Sequence, residues 1–565
     1  MLLARACALL ACLAAAVAAA ELPLPPEADR AAEQITAAAI AGPVRFLAHD
    51  LLQGRGAASR GDSLARAYIA TSFEALGLRP GAAGGAWQQP FDIVGVSATP
   101  PQTWAFARAD ARLELGYWED YIAVSGVQQP AARLDGAEVV FVGYGMTAPE
   151  YAWDDFKGAD LRGKVLLVLN NDPDWDPKLF AGKMRLYYGR WDYKYESAAR
   201  QGAAGALVIH TQPSAGYPWH VVQSSWSGEQ FELPDAGEAR LQVRGWVTEA
   251  AARRLVALAG KDLDKLVLSA HKRSFRPVPL GVTTSIVLEN RLTQARTANV
   301  LGLLPGRDAA LANEVVVFSA HHDHLGVGKP DSTGDDIYNG ALDNASGVAQ
   351  ILAIARAFTA LPRPPRRSVL FLALGTEESG LLGSEYYCKH ATFAPGSIAA
   401  DINFDGANIW GRTRDLTLVG KGKSDIDAVA ASVAARQGRV VVPDQFPDRG
   451  FFYRSDQFNF AKMGVPALYF DQGLDFVGRP PGWGKQQIEA WEARHYHQPS
   501  DELDSSWSFE GVVEDARAGF LCGVVLAEMD AMPAWTPGDE FEAARKQALA
   551  AAGKTDGAPG APTAH

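Results

Sequence analysis

Three short apolar segments constrain the fold of this chain more than any other feature. Residues 315–320 read VVVFSA, residues 368–375 read SVLFLALG and residues 398–404 read IAADINF. Runs of this length, rich in β-branched and large apolar side chains, are expected of strands buried in a parallel sheet. Each leads into a side chain with a nitrogen or oxygen donor: His321 after the first, Glu377 and Glu378 after the second, Asp405 after the third. Open α/β sheets place their sites at such carboxyl ends. The expected fold class is therefore α/β, with a mixed, mostly parallel central sheet flanked by helices.

Two loops add to the set. Asp343 lies in NGALDNASG, just before a segment with helical apolar spacing, where capping by Asp343, Asn344 or Ser346 is the ordinary role. The long Gly- and Asp-rich stretch from His324 to Asn339 reads instead as the rim of a site. His497 sits in the Pro-containing loop RHYHQPSD. In the cluster His321-His322-Asp323-His324, His321 comes first off the strand, and Asp323 is placed to orient it. Adjacent glutamates crowded at a strand end need a reason, since like charges there repel. A metal pair supplies one: one carboxylate can ligate while its neighbour points at the bound water. His321, Asp343, Glu377, Glu378, Asp405 and His497 together read as a two-metal hydrolase, with mixed N/O donors that suit zinc.

The segments SAHHDHLG, NGALDNASG, TEESGLLGSEYY, INFD, YRSDQFNFAKMGVPAL and YHQPSD strongly resemble the zinc-dependent exopeptidase family that includes bacterial double-zinc aminopeptidases, glutamate carboxypeptidase II and the transferrin receptor ectodomain. The resemblance covers roughly residues 40–110 and 285–530. It implies two zinc ions per chain, one held by His321 and Asp405, the other by Glu378 and His497, with Asp343 bridging both. It also implies Glu377 as general base. Many relatives carry histidine where this chain has Gln457, a departure read as variation behind the ligands. His495-Tyr496-His497 offers two imidazoles, and the family pattern of His, one residue, then Pro favours His497.

Length suggests two to four domains. Residues 1–20 have one early charge, Arg5, a Leu/Ala/Val/Cys stretch and a terminal Ala18-Ala19-Ala20, the pattern of a cleaved signal peptide. Export to a periplasmic or extracellular location is expected, with a lipoprotein anchored at Cys12 as the alternative. Later in the chain there is no apolar run long enough to span a bilayer, so no stable membrane insertion is expected. After the leader only Cys388 and Cys522 remain, enough for one bridge or none. The net charge of −12, with no basic cluster, argues against nucleic acid. Residues 21–118 are assigned to the first part of the peptidase domain, within which 41–88 reads as largely helical with Leu47, Leu51, Leu52, Ala65, Tyr68, Ile69, Phe73 and Leu76 on apolar faces; 278–535 are assigned to the rest, and 536–565 to a tail whose end is expected to be disordered.

Residues 119–277 lack the motifs and read as an insert. Strand patterns at 138–145 and 161–169, then helix, glycine and strand over 195–209, resemble a β-rich α/β protease-associated domain, which implies a wall over a substrate cleft. Peptides are the expected partners, and the oligomeric state is not legible. Three readings compete: an aminopeptidase; a carboxypeptidase or dipeptidase, which needs a cation such as Arg454 for the substrate carboxylate; and a receptor-like binding protein, which predicts eroded ligands. A one-zinc glutaminyl cyclase fits the filled two-metal pattern less well.

Overall fold

The structure is a computed structural model that describes residues 24–554. The expected signal peptide with its cleavage site, Cys12 and residues 555–565 of the tail lie outside the described residues. The three apolar segments form the strands Val315–His321, Ser368–Leu374 and Ile398–Asn403, every residue of them buried. The first runs parallel to both others, and Ile398–Asn403 is also parallel to Ala467–Asp471. Beyond these four the sheet is mixed. Asp415–Val419 is antiparallel to Ala467–Asp471, and residues 300–304 are antiparallel to Ser368–Leu374. This is the α/β class expected, a mostly parallel sheet flanked by helices.

Helices cover the sheet because their apolar residues leave no polar face to expose. Ser346–Thr359 is buried on nearly every side, and Phe509–Glu528 is largely buried. The latter lies close to the strands because Gly519 and Gly523 face Phe404 and Phe318; a Cβ at either would stand 2.4 or 2.3 Å from a ring carbon. Near the N-terminus, Ala37–Leu47 and Arg60–Ala75 bury Leu47, Ala65, Ile69 and Phe73 in the same core. Leu51, placed on an apolar face by its spacing, is instead 76% exposed. Residues Asp50–Arg55 form a tight turn, where helical spacing does not apply.

A second lobe has its own cores, one of them spanning Trp104 to Leu288. Its strands Ala131–Phe141, Val165–Leu169, Gly205–His210 and Val243–Thr248 run parallel, each to the next. Its core draws on Trp104, Phe106 and Leu115 before residue 119, and on Leu280, Ile286 and Leu288 after residue 277. The two lobes share one continuous sheet, because the strand Val278–Leu304 pairs with Ala131–Phe141 at one end and with Ser368–Leu374 at the other. Cys388 and Cys522 are both free. Among the described residues no helix is long and apolar enough to cross a membrane.

Candidate metal centre

At the carboxyl ends of the parallel strands all six predicted donors meet. His321 Nε2 lies 3.2 Å from Asp343 Oδ1 and 3.2 Å from Asp405 Oδ1, and 3.9 Å from Glu377 Oε2. His497 Nε2 lies 3.2 Å from Asp343 Oδ2 and 3.2 Å from Glu378 Oε2. Asp343 thus turns one oxygen to each imidazole. Grouped by mutual proximity within 4.8 Å, donors of His321, Glu377 and Asp405 form one set, and His324, Asp343 and Glu378 another. His495, the other imidazole of its tripeptide, points to the carbonyl and hydroxyl of Ser500.

The backbone around these groups is held by buried polar contacts. Asp343 lies in an irregular turn whose amides, those of Leu342 and Asp343, donate to Asp501 at 2.9 and 3.0 Å. Asn344 ties that turn to the next strand end: its Nδ2 donates to the Phe404 carbonyl and its Oδ1 accepts from Gly406. Asn403 donates to Ser455 and to Gln457, both at 2.8 Å, so Gln457 braces the strand that delivers Asp405. Thr376 and His497 both adopt positive φ, 63° and 56°. Such backbone costs about 1–3 kcal/mol per residue and persists only where its surroundings enforce it.

Asp323 acts differently from the expectation. It reaches His321 Nδ1 through its main-chain carbonyl at 3.2 Å, whereas its nearer carboxylate oxygen is 3.8 Å away. The carboxylate accepts instead from the amides of Glu377 and Glu378, at 3.0 and 3.3 Å. It therefore sets the turn carrying both glutamates. The registers of three separate strands bring these groups together, and the local motif does not show them.

Other residues shape the site without standing out in the sequence. His324 is buried with Nδ1 2.6 Å from Glu378 Oε1; the unusual density of histidines was its one signal. Asp501 belongs to the YHQPSD segment but had no assigned part. Arg55 is fully buried and donates to the carbonyls of His322, Leu47, Asn339 and Gly340. It clasps the loop after His321 to the loop before Asp343. Arg55→Met should strand several buried carbonyls and destabilise the protein by about 3 kcal/mol or more. Denaturant unfolding of the variant would show this as a lower midpoint, and an unchanged midpoint would count against the clasp.

The electrostatics are those of a cation site. Burial holds the Glu377 carboxyl well above its ordinary range, and the charges of Glu378, Asp405 and Asp456 add to that, against His321. Burial opposes protonation of His497, but Glu378 and Asp343 more than offset it and push it up to about 10. Burial likewise disfavours ionised Glu378, yet the neighbouring His497 and His324 bring it down to about 2. Carboxylates collected in a buried site are stable only when cations neutralise them. Imidazole and carboxylate donors in this mixture fit zinc.

Two cavities open on this centre. One, of about 410 Å³, is lined by Trp410, Phe451, Trp491 and Arg454 of the lobe that holds the donors and by Tyr217 and Pro218 of the second lobe. The other, of about 430 Å³, also reaches Glu377, Glu378 and His497, and takes most of its remaining wall from the second lobe.

Comparison with known proteins places this arrangement. Aminopeptidase NAALADL1 of Mus musculus is 33% identical over 115 residues, 20% of this chain and 14% of the mouse protein, so the match spans a small part of that relative. The probable leucine aminopeptidase 2 of Aspergillus oryzae is 29% identical over 449 residues, 77% of this chain and 75% of the fungal one. Aminopeptidase YwaD of Bacillus subtilis is 32% identical over 230 residues, 38% of this chain and 41% of its own. The solved aminopeptidase from Aneurinibacillus sp. strain AM-1 shares the fold, with a TM-score of 0.51 and 20% identity over 88% of this chain and 95% of that one. Residues 299–520, which hold all the metal donors described above, match the model of peptidase family M28.

Proposed function

We propose that this protein is an exported two-zinc aminopeptidase. The observation that carries the reading is Asp343, with one carboxylate oxygen 3.2 Å from His321 Nε2 and the other 3.2 Å from His497 Nε2. A carboxylate so placed serves as the shared donor of two adjacent sites. His321 and Asp405 complete one, and Glu378 and His497 the other. Bound zinc would polarise a peptide carbonyl and make water a nucleophile at neutral pH.

The chain's own groups do the rest. Glu377 groups with His321 and Asp405 by distance, yet neither proposed zinc site needs it, so its carboxylate, 3.9 Å from His321 Nε2, is left to take a proton during attack and return it to the leaving amine. Asp323 holds the Glu377 and Glu378 amides and so fixes which carboxylate faces which way. In the aminopeptidases that the motifs resemble, the substrate's free α-amine binds at the metal centre, which restricts cleavage to the N-terminal residue. The second lobe, read as a protease-associated domain, roofs the cleft with Tyr217 and Pro218 and favours short peptides over folded chains. The aminopeptidases of mouse, Aspergillus oryzae and Bacillus subtilis to which the chain is similar support this choice.

A free peptide should be cleaved from its N-terminus, and acetylation of that terminus should abolish cleavage. Rapid hydrolysis of blocked peptides, or of casein at internal bonds, would overturn the aminopeptidase reading and leave the hydrolase intact. A carboxypeptidase reading has one observation in its favour. Arg454 lines both cavities, with the Tyr496 hydroxyl 3.0 Å away as its hydrogen-bond partner. Cleavage of N-blocked peptides only when their C-terminus is free would decide for it.

A further inference from the structure

His497 comes from a loop with left-handed backbone, so no regular element aims its ring. Its Nε2 faces Asp343 and Glu378. Its other nitrogen, Nδ1, lies 2.8 Å from the hydroxyl of Ser225, which is 272 residues away in the chain. Ser225 ends the helix Trp219–Ser225 of the second lobe. That helix is firmly seated. Trp219 Nε1 and Gln223 Nε2 each donate to the Trp118 carbonyl at 2.9 Å, and Val221 and Val222 are buried. The next residue, Trp226, is 8% exposed and packs edge-on against Trp191 and Trp246.

We infer that Ser225 is a positioning residue that completes the metal centre from the second lobe by orienting His497. The inference rests on the reading of His497 as a zinc ligand. A histidine that offers Nε2 to a metal must carry its ring proton on Nδ1, so the Ser225 hydroxyl is the acceptor and selects that tautomer. The contact also fixes the ring plane, which the left-handed loop leaves to side-chain packing. The second lobe is then more than a wall. Its seating on the peptidase domain is coupled to one zinc site and not to the other, since the His321 ring is held within its own domain by the Asp323 carbonyl.

The test uses the full chain with Ser225→Ala, Ser225→Thr and His497→Ala. Zinc affinity is read by chelator competition and stability by melting of the metal-free protein. In Ser225→Ala one of the two zinc ions should bind about 10–100-fold more weakly, the usual loss for an outer partner of a ligand histidine, with the other unchanged. The metal-free protein should melt as wild type does, and Ser225→Thr, which keeps the hydroxyl, should recover most of the affinity. Wild-type affinity in Ser225→Ala, or equal weakening of both ions with a lower metal-free melting temperature, would overturn the inference. If His497→Ala keeps both ions at full affinity, the ligand assignment itself fails. If His497→Ala loses one ion and Ser225→Ala loses none, only the role of Ser225 falls.

Discussion

Glu377→Gln is expected to lower turnover by at least about a hundredfold while both metals stay bound, the scale of a lost general base. The amide keeps the shape of the side chain and its place on the turn, which Asp323 sets through the backbone amides of Glu377 and Glu378. What it cannot do is take a proton. Glu378→Gln serves as the partner measurement. Its carboxylate lies 3.2 Å from His497 Nε2 and 2.6 Å from His324 Nδ1, so its loss should weaken one metal directly. Zinc content and turnover are measured on the same preparations. Equal metal loss in the two variants would show that the roles within the pair are wrongly divided, since Glu377 also groups with His321 and Asp405 by distance.

Asp343→Ala should have the broader effect, emptying both sites. Wild-type protein should hold close to two zinc ions per chain and lose its activity to a chelator. Removing the one carboxylate that faces both imidazoles takes a donor from each site at once. The loss in affinity should exceed the 10–100-fold typical of groups behind the ligands. Asp405→Ala, which removes a carboxylate that faces the His321 imidazole, should instead spare the site of His497 and Glu378. A variant lacking Asp343 that still holds one zinc at wild-type affinity would sink the shared-donor role, and so would wild-type protein fully active with one ion.

Both experiments depend on backbone that tolerates the changes, and there the neighbours matter. Asp501, which accepts from the Leu342 and Asp343 amides, has its carboxyl raised to about 6 by burial. Asn344 pins the same turn to residues 404 and 406. These contacts do not involve the Asp343 side chain, so the turn should keep its course when that side chain is cut back.

Much of the architecture was legible in residues 315–320, 368–375 and 398–404. An apolar, β-branched run of six to eight residues has few places to go other than the middle of a sheet. His321, Glu377, Glu378 and Asp405 stood out for the same reason, because a polar residue that follows such a run is carried to the carboxyl end of the sheet, whereas Asp343 and His497 stood out only through their loop motifs. Arrangement in space was not legible. Leu51 followed helical spacing but lies in a tight turn, since spacing reports a helix only where the backbone is one. Asp323 stands two residues from His321 and still spends its carboxylate on the Glu377–Glu378 turn, because strands Val315–His321 and Ser368–Leu374 run side by side in register. Arg55 and Ser225 carry no motif at all. Their roles arise from contacts 267 and 272 residues apart in the chain. Sequence by itself determined which groups could bind a metal and that they would gather at one edge of a sheet. Tertiary structure alone decided which oxygen faces which imidazole and what holds each ring, because those are distances between strand ends and lobes, and side-chain periodicity encodes only the face of a single element.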